Sequence, residues 1–245
     1  MKKLYFLTSG VALGAFLLST TGLRAAGILG SPHDFHGESW NLSAKDPNSV
    51  CSPCHQAHHA ASSVVPLWGH TTSVGPWIMY SALNSPTFKA QGTQSATPTS
   101  TSLACLSCHD GTVAVNSYGG AIQGGSAVTI TNRGLIGTDL THSHPISFTY
   151  DPALVGTGPN QDQWLYNPDT ATVLTPDSGI FVPGNSMTIN NFLLGGKNRM
   201  ECSSCHAVHN QVGTPFDINS NPSLLIINGT KGGVGSLLCR SCHNK

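Results

Sequence analysis

Every one of the eight cysteines in this 245-residue chain lies in a Cys-x-x-Cys-His unit. The units are Cys51–His55, Cys105–His109, Cys202–His206 and Cys239–His243. Chance placement of these residue types would give about 0.01 such units. Two thiols three residues apart can add to the two vinyl groups of one haem, and the adjacent histidine then reaches the iron. A disulfide framework suits an exported cysteine-rich chain but gives no reason for a histidine after each pair. Zinc knuckles use the same residue types without needing that histidine to be adjacent. The spacing therefore predicts four covalently bound c-type haems. Their thioether positions are Cys51, Cys54, Cys105, Cys108, Cys202, Cys205, Cys239 and Cys242, and the proximal ligands are His55, His109, His206 and His243.

Such cofactors would explain an unusual composition. Only 9% of residues are charged, against about 25% in ordinary soluble domains. Gly, Ser, Thr, Asn and Pro together make up 109 residues, too many turn and loop formers for a helix bundle or a packed α/β sheet. The expected fold class is a multihaem cytochrome c. It consists mostly of loops, with short haem-bearing helices, a few short strands and a core built around stacked haems. With 11 basic and 11 acidic residues, there is no electrostatic footprint for a nucleic-acid partner.

Residues 1–26 read as a secretory signal: Lys2 and Lys3, an apolar stretch from Leu4 to Leu18, then small residues before a cleavage site between Ala25 and Ile28. The apolar run is short and broken by Thr8, Ser9 and Gly10, which disfavours a retained membrane helix. Three basic residues, Lys2, Lys3 and Arg24, lie in this segment, so the mature chain carries a formal charge of −3. The expectation is an exported protein with no membrane span in its mature form, extracellular or at the cell surface, with the periplasm as the alternative.

Eight of the 12 histidines lie outside the four units, whereas only Met79, Met187 and Met200 follow the signal as possible methionine ligands. Bis-histidine irons with low reduction potentials are therefore expected. No Cys-x-x-Cys-Lys unit, a mark of some catalytic multihaem reductases, is present. His58 and His209 each follow a proximal histidine by three residues. On a helix each pair would share a face, so the second histidine should reach a neighbouring haem. His59 is expected at the surface. His70 follows Val64–Gly69, and His144 precedes Pro145 in an apolar stretch suited to porphyrin packing. In the segment Pro32–His36, His33 is preferred as a ligand over His36, with Asp34 a possible partner for a ring nitrogen.

The units alternate in type. Cys51–His58 and Cys202–His209 carry a trailing histidine, whereas Ser102–His109 and Ser236–His243 share a Ser-Leu-x-Cys-x-Ser-Cys-His pattern. This suggests a duplicated dihaem module, around 31–110 and 192–245, joined by a loop-rich segment 111–191 within a domain of 27–245. Short β-like runs occur at 127–131 and 146–150. Thr93–Ser102 reads as an exposed Thr/Ser loop and possible glycan site, and sequons occur at Asn41 and Asn228.

Several features follow one another in order. They are His33-Asp34-Phe35, Cys51–His58, Pro66-Leu67-Trp68-Gly69-His70, Cys105–Gly111, His144-Pro145-Ile146, Cys202–Asn210 and Cys239–His243. In this order the chain resembles the extracellular polymerising tetrahaem cytochromes, the OmcE-type cytochrome nanowire family. The resemblance spans nearly all of the mature chain except 157–191. It places His33, His58, His70, His144 and His209 at family motif positions, five candidates for four distal iron sites. It implies head-to-tail self-association into a filament with a continuous haem chain, one distal histidine coming from the adjacent subunit. Such a heterologous interface does not close and so propagates. Redox-partner cytochromes or extracellular electron acceptors would be the other partners. The expected role is long-range electron transfer rather than enzymatic turnover. The alternatives are a monomeric periplasmic shuttle and, less favoured, a multihaem reductase, which would need an open iron position with acid–base groups nearby.

Overall fold

The computed structural model describes residues 28–41, 49–60, 64–174, 187–209, 224–227 and 236–244. The signal segment and the Asn228 sequon lie outside the described residues. Regular structure is sparse, as the abundance of turn formers predicts. Among the described residues there are three short α-helices, α1 (Ser100–His109), α2 (Ile189–Phe192) and α3 (Leu237–Cys242). Four two-residue strands form two antiparallel pairs, β1 (Ser117–Tyr118) with β2 (Ala121–Ile122), and β3 (Phe148–Thr149) with β4 (Arg199–Met200). No helix among the described residues is long and apolar enough to cross a membrane.

Local chemistry explains the elements that do form. Gly119 and Gly120 have φ of +62° and +84° and make the two-residue turn between β1 and β2, a type I′ position where both residues need positive φ. In α1, small residues face inward: Ser102, Ala104 and Ser107 are buried beside Leu106. That lets the helix approach the 3₁₀ turn Cys202–Ser204 closely. Thr188 caps α2, its hydroxyl accepting from the Asn191 N–H.

Two apolar clusters hold the chain. The larger gathers Phe148, Tyr150, Leu154, Ile189, Leu193, Met200, Ile227 and Leu238, with the Cys242 side chain among them. The smaller is Trp40, Val115 and Tyr118, flanked by Phe35 and Ile130. The segment expected to join two modules is therefore drawn into both cores: Val115 and Tyr118 into one, Phe148 to Val173 into the other.

Several local expectations are corrected. No helix runs through His55–His58 or His206–His209; Cys51–Cys54 is a turn and Cys202–Ser204 a single 3₁₀ turn. The run 127–131 forms no strand, although the Val128 carbonyl accepts from the Val115 N–H at 2.7 Å, and within 146–150 only Phe148–Thr149 pair. Ser100–Ser102 belong to α1 rather than to an exposed loop, and Pro98 and Ser102 are buried. The Asn41 amide is consumed internally, donating to the Phe35 and Ser49 carbonyls and accepting from the Tyr118 hydroxyl at 2.8 Å. It is 2% exposed and offers no glycan acceptor.

Candidate haem sites

Two of the four Cys-x-x-Cys-His units lie on helices, and these are the two that share the Ser-Leu-x-Cys-x-Ser-Cys-His pattern. The second and fourth are carried by α1 and α3. In both, the serine before the second cysteine turns back on its helix: Ser107 donates to the Leu103 carbonyl at 2.7 Å and Ser241 to that of Leu237 at 2.9 Å. The first and third units are followed by a crossing strand segment with one repeated pattern. After His55, the Gln56 N–H donates to Leu67, and the Gly69 N–H returns to the Cys54 carbonyl. After His206, the Ala207 N–H donates to Leu224, and the Ile226 N–H returns to Cys205. Leu67 and Leu224 share positive φ, 57° and 52°. The fourth unit also has this bridge, made by Asn244 to Trp164 and Tyr166 to Cys242. The crossing triplets lie apart from their units in sequence, and only Leu67–Gly69 falls in a string the sequence marks.

The second and third units meet directly. Glu201, buried just before Cys202, accepts from the Thr99 hydroxyl at 2.7 Å, from the Ser102 hydroxyl and from the Ser147 hydroxyl at 3.2 Å. The Arg199 Nε lies 3.7 Å from it, and Ser102 also accepts from the Cys202 N–H at 3.0 Å. The Cys105 and Cys202 thiols hydrogen-bond one another, which raises the Cys105 pKa. Burial, the Cys54 charge and the Asp110 charge push the Cys108 thiol up to about 12. Burial, Cys239 and Cys202 push Cys205 up to about 11. The units are thus electrostatic neighbours in sequence order, first to fourth. Thiolates would be costly in these surroundings, whereas a neutral thioether would not.

Whether the histidines suit a haem iron can be tested by ring spacing. A histidine nitrogen sits about 2 Å from a bound first-row metal, with the ring centre about 1 Å behind it, so two imidazoles on one iron hold their centroids about 6 Å apart. Three pairs have that spacing: His33–His109 at 5.8 Å, His55–His209 at 6.1 Å and His144–His243 at 6.3 Å. Each joins one motif histidine to one of the five distal candidates, and no histidine is used twice. Their interplanar angles of 63°, 20° and 69° differ freely, as rotation about a shared axis permits. His209 meets His55, so the histidine trailing the third unit does reach a different unit, although no helix aims it.

Tautomers agree with the spacing. The Nδ1 of His55 faces the Pro66 carbonyl at 3.1 Å, that of His109 faces Gly134 at 2.6 Å, and that of His144 faces Pro145 at 2.8 Å. A carbonyl only accepts, so Nδ1 carries the proton and Nε2 keeps its lone pair for a metal. Burial first, then the His109 and His206 charges, lower the His33 pKa to about 4, which keeps the ring neutral. Burial and the His55 charge likewise lower His209.

A cavity of about 290 Å³ surrounds the fourth unit. Its walls include His144, His243, Cys239, Cys242, Phe88, Phe148 and Tyr150, with Cys205 of the third unit at its border. Two buried nitrogens beside the paired rings, His33 Nδ1 and Trp68 Nε1, have no hydrogen-bond partner among the described residues. Both lie where an acceptor from outside the chain, such as a haem propionate, would satisfy them. Among the described residues no three His, Cys, Asp or Glu converge as a protein-only metal cage. A porphyrin supplies four of iron's ligands, so two histidines suffice. The residues present fit haem.

The remaining candidates differ in environment. His70 is 3% exposed, with Nδ1 2.8 Å from the Thr71 carbonyl and Nε2 3.1 Å from the Ala114 and Val115 carbonyls and 3.2 Å from Cys108 Sγ. Burial lowers its pKa. His58 is exposed, as are His36, His59 and His142. Asp34 does not orient His33; its carboxylate accepts from the Gly30 and His36 N–H groups instead. No protein-family model matches the chain, and no curated protein matches it.

Proposed function

We propose that this chain is a tetrahaem c-type cytochrome whose subunits join head to tail outside the cell and carry electrons over long distances. The observation that carries the proposal is the pairing of three motif histidines with three candidate distal histidines at about 6 Å, in a chain whose cysteines all serve Cys-x-x-Cys-His units. When bound, haem supplies one-electron iron redox chemistry.

The chain's own residues hold, orient and enclose. The eight cysteines form the thioethers. His55 with His209, His109 with His33, and His243 with His144 would hold three of the irons. The Pro66, Gly134 and Pro145 carbonyls hold His55, His109 and His144 in the metal-binding tautomer. The contact of the second and third units through Glu201, and the cavity shared by the third and fourth, support closely spaced cofactors rather than four isolated ones.

His206, the remaining motif histidine, would hold the fourth iron from the motif side. His70 has chain groups at both ring nitrogens, whereas His58 is exposed and can reach a neighbouring copy. His58 is therefore assigned as the ligand shared between subunits, with His70 the spare candidate. Because assembly then depends on a coordinate bond, it is linked to haem loading. Negative-stain electron microscopy of the secreted protein and of His58→Ala tests this. The wild type is expected to form filaments, and the variant to keep four haems per chain but remain as discrete particles. A wild type without filaments would sink the polymer proposal, and a filamentous variant would remove His58 from the interface.

A further inference from the structure

Asp110 follows His109 directly and is 5% exposed. One carboxylate oxygen accepts from the Ser73 hydroxyl and from the Trp77 indole N–H at 3.1 Å. The other accepts from the Thr112 N–H at 2.8 Å and the Thr112 hydroxyl at 2.8 Å. Four hydrogen bonds therefore converge on the two oxygens, which act as acceptors in all of them.

No ion pair among the described residues offsets it. Among the described residues no Lys, Arg or His nitrogen lies within 4.0 Å of Asp110, whereas Glu201, the other buried carboxylate at these units, has Arg199 beside it. Asp110 also caps the C-terminus of α1, the end where the helix dipole disfavours negative charge. Stability alone gives little reason to bury a bare anion there. Solvent screens it weakly, and its field reaches the thiol of Cys108.

We propose, on the haem reading above, that Asp110 is an electrostatic tuning residue. Its buried carboxylate favours the oxidised form of the iron held by His109 and lowers the reduction potential of that one site among the four. The physical reason is the sign: reduction adds an electron beside a fixed negative charge.

The test uses the haem-loaded protein and Asp110→Asn, which keeps the shape and removes the charge. Pyridine-haemochrome absorbance and intact mass first count the covalent haems; a wild type without them would overturn the haem reading and this proposal together. With four haems in both proteins, a spectroelectrochemical titration follows. One component, about a quarter of the absorbance change, is expected to shift to a more positive potential. The shift corresponds to about tenfold in its reduction equilibrium constant, or about 59 mV for a one-electron couple. Superimposable titrations would overturn the tuning role and leave the haem reading standing. Trp77→Phe gives the opposite sign, because losing the indole donor leaves the carboxylate's charge less shared. If the Asn variant fails to hold four haems, this second variant decides: a negative shift of one component supports the role, and an unchanged or positive shift overturns it.

Discussion

At the scale of single residues, the chain sets the protonation of its histidines before any metal arrives. His33 is the clearest case, with burial and two neighbouring histidines lowering its pKa to about 4 from 6.5. Its depressed value means that the folded state binds fewer protons than the unfolded state between those limits. The stability this provides is fully present above pH 6.5 and is lost as pH falls toward about 4. Iron ligation has the same sign, because it also requires the neutral ring. Because the folded ring stays neutral down to about 4 and ligation would hold it neutral further, the haem proposed at His33 is expected to stay six-coordinate and low-spin across that window and to lose its distal ligand only below it, which absorbance or resonance Raman spectra would report. Loss of the low-spin signal well above pH 4 would count against His33 as a ligand. The eight cysteines and four adjacent histidines proposed to hold haem were legible in the sequence, because each unit is contiguous. The distal partners were not. Five candidates for four sites could be named, but pairing depends on how distant loops cross, which one-dimensional spacing does not encode.

At the scale of elements, the crossing segments matter more than the helices. Sequence spacing suggested that His55 and His58 share a helix face. Instead the chain leaves the first unit as a bridge to Leu67–Gly69, because backbone hydrogen bonds to that segment replace helical ones. Gly69 makes the crossing possible: an added Cβ would fall 2.1 Å from Gln56 Cγ, 2.6 Å from its Cβ and 3.0 Å from its backbone nitrogen. Gly69→Ala must therefore separate the two strands of the bridge or displace Trp68 and His70. A loss of about 2–3 kcal/mol in stability is expected, of the order found for overpacked sites, readable by denaturant unfolding of the haem-loaded protein. An unchanged midpoint would mean that the crossing is not held as described. The sequence made the Trp68-Gly69-His70 string visible as a feature but not its role, since the backbone it must clear lies eleven or more residues upstream. The poor regular structure was legible from composition. Of the two-residue strands only Phe148–Thr149 lies in a run the sequence marks; the other positions were not legible, because such short pairings are set by tertiary packing rather than by local propensity.

At the scale of the whole molecule, the described residues form two small apolar clusters, with Cys242 of the fourth Cys-x-x-Cys-His unit in the larger and Cys205 of the third packed against it. A wrapper of loops around four cofactors accounts for low charge, abundant turn formers and surplus histidines together. It also accounts for exposed apolar side chains such as Trp164 and Tyr166 beside the fourth unit, where a haem and a neighbouring subunit would cover them. The central claim is a polymer whose irons are held by defined histidine pairs. Electron cryo-microscopy of the native secreted protein tests it most directly. The expected map is a filament with one continuous haem chain, iron between His55 and His209, His109 and His33, and His243 and His144, and His58 of the next copy completing the iron at His206. Discrete particles, or irons joining these histidines in other combinations, would contradict the account.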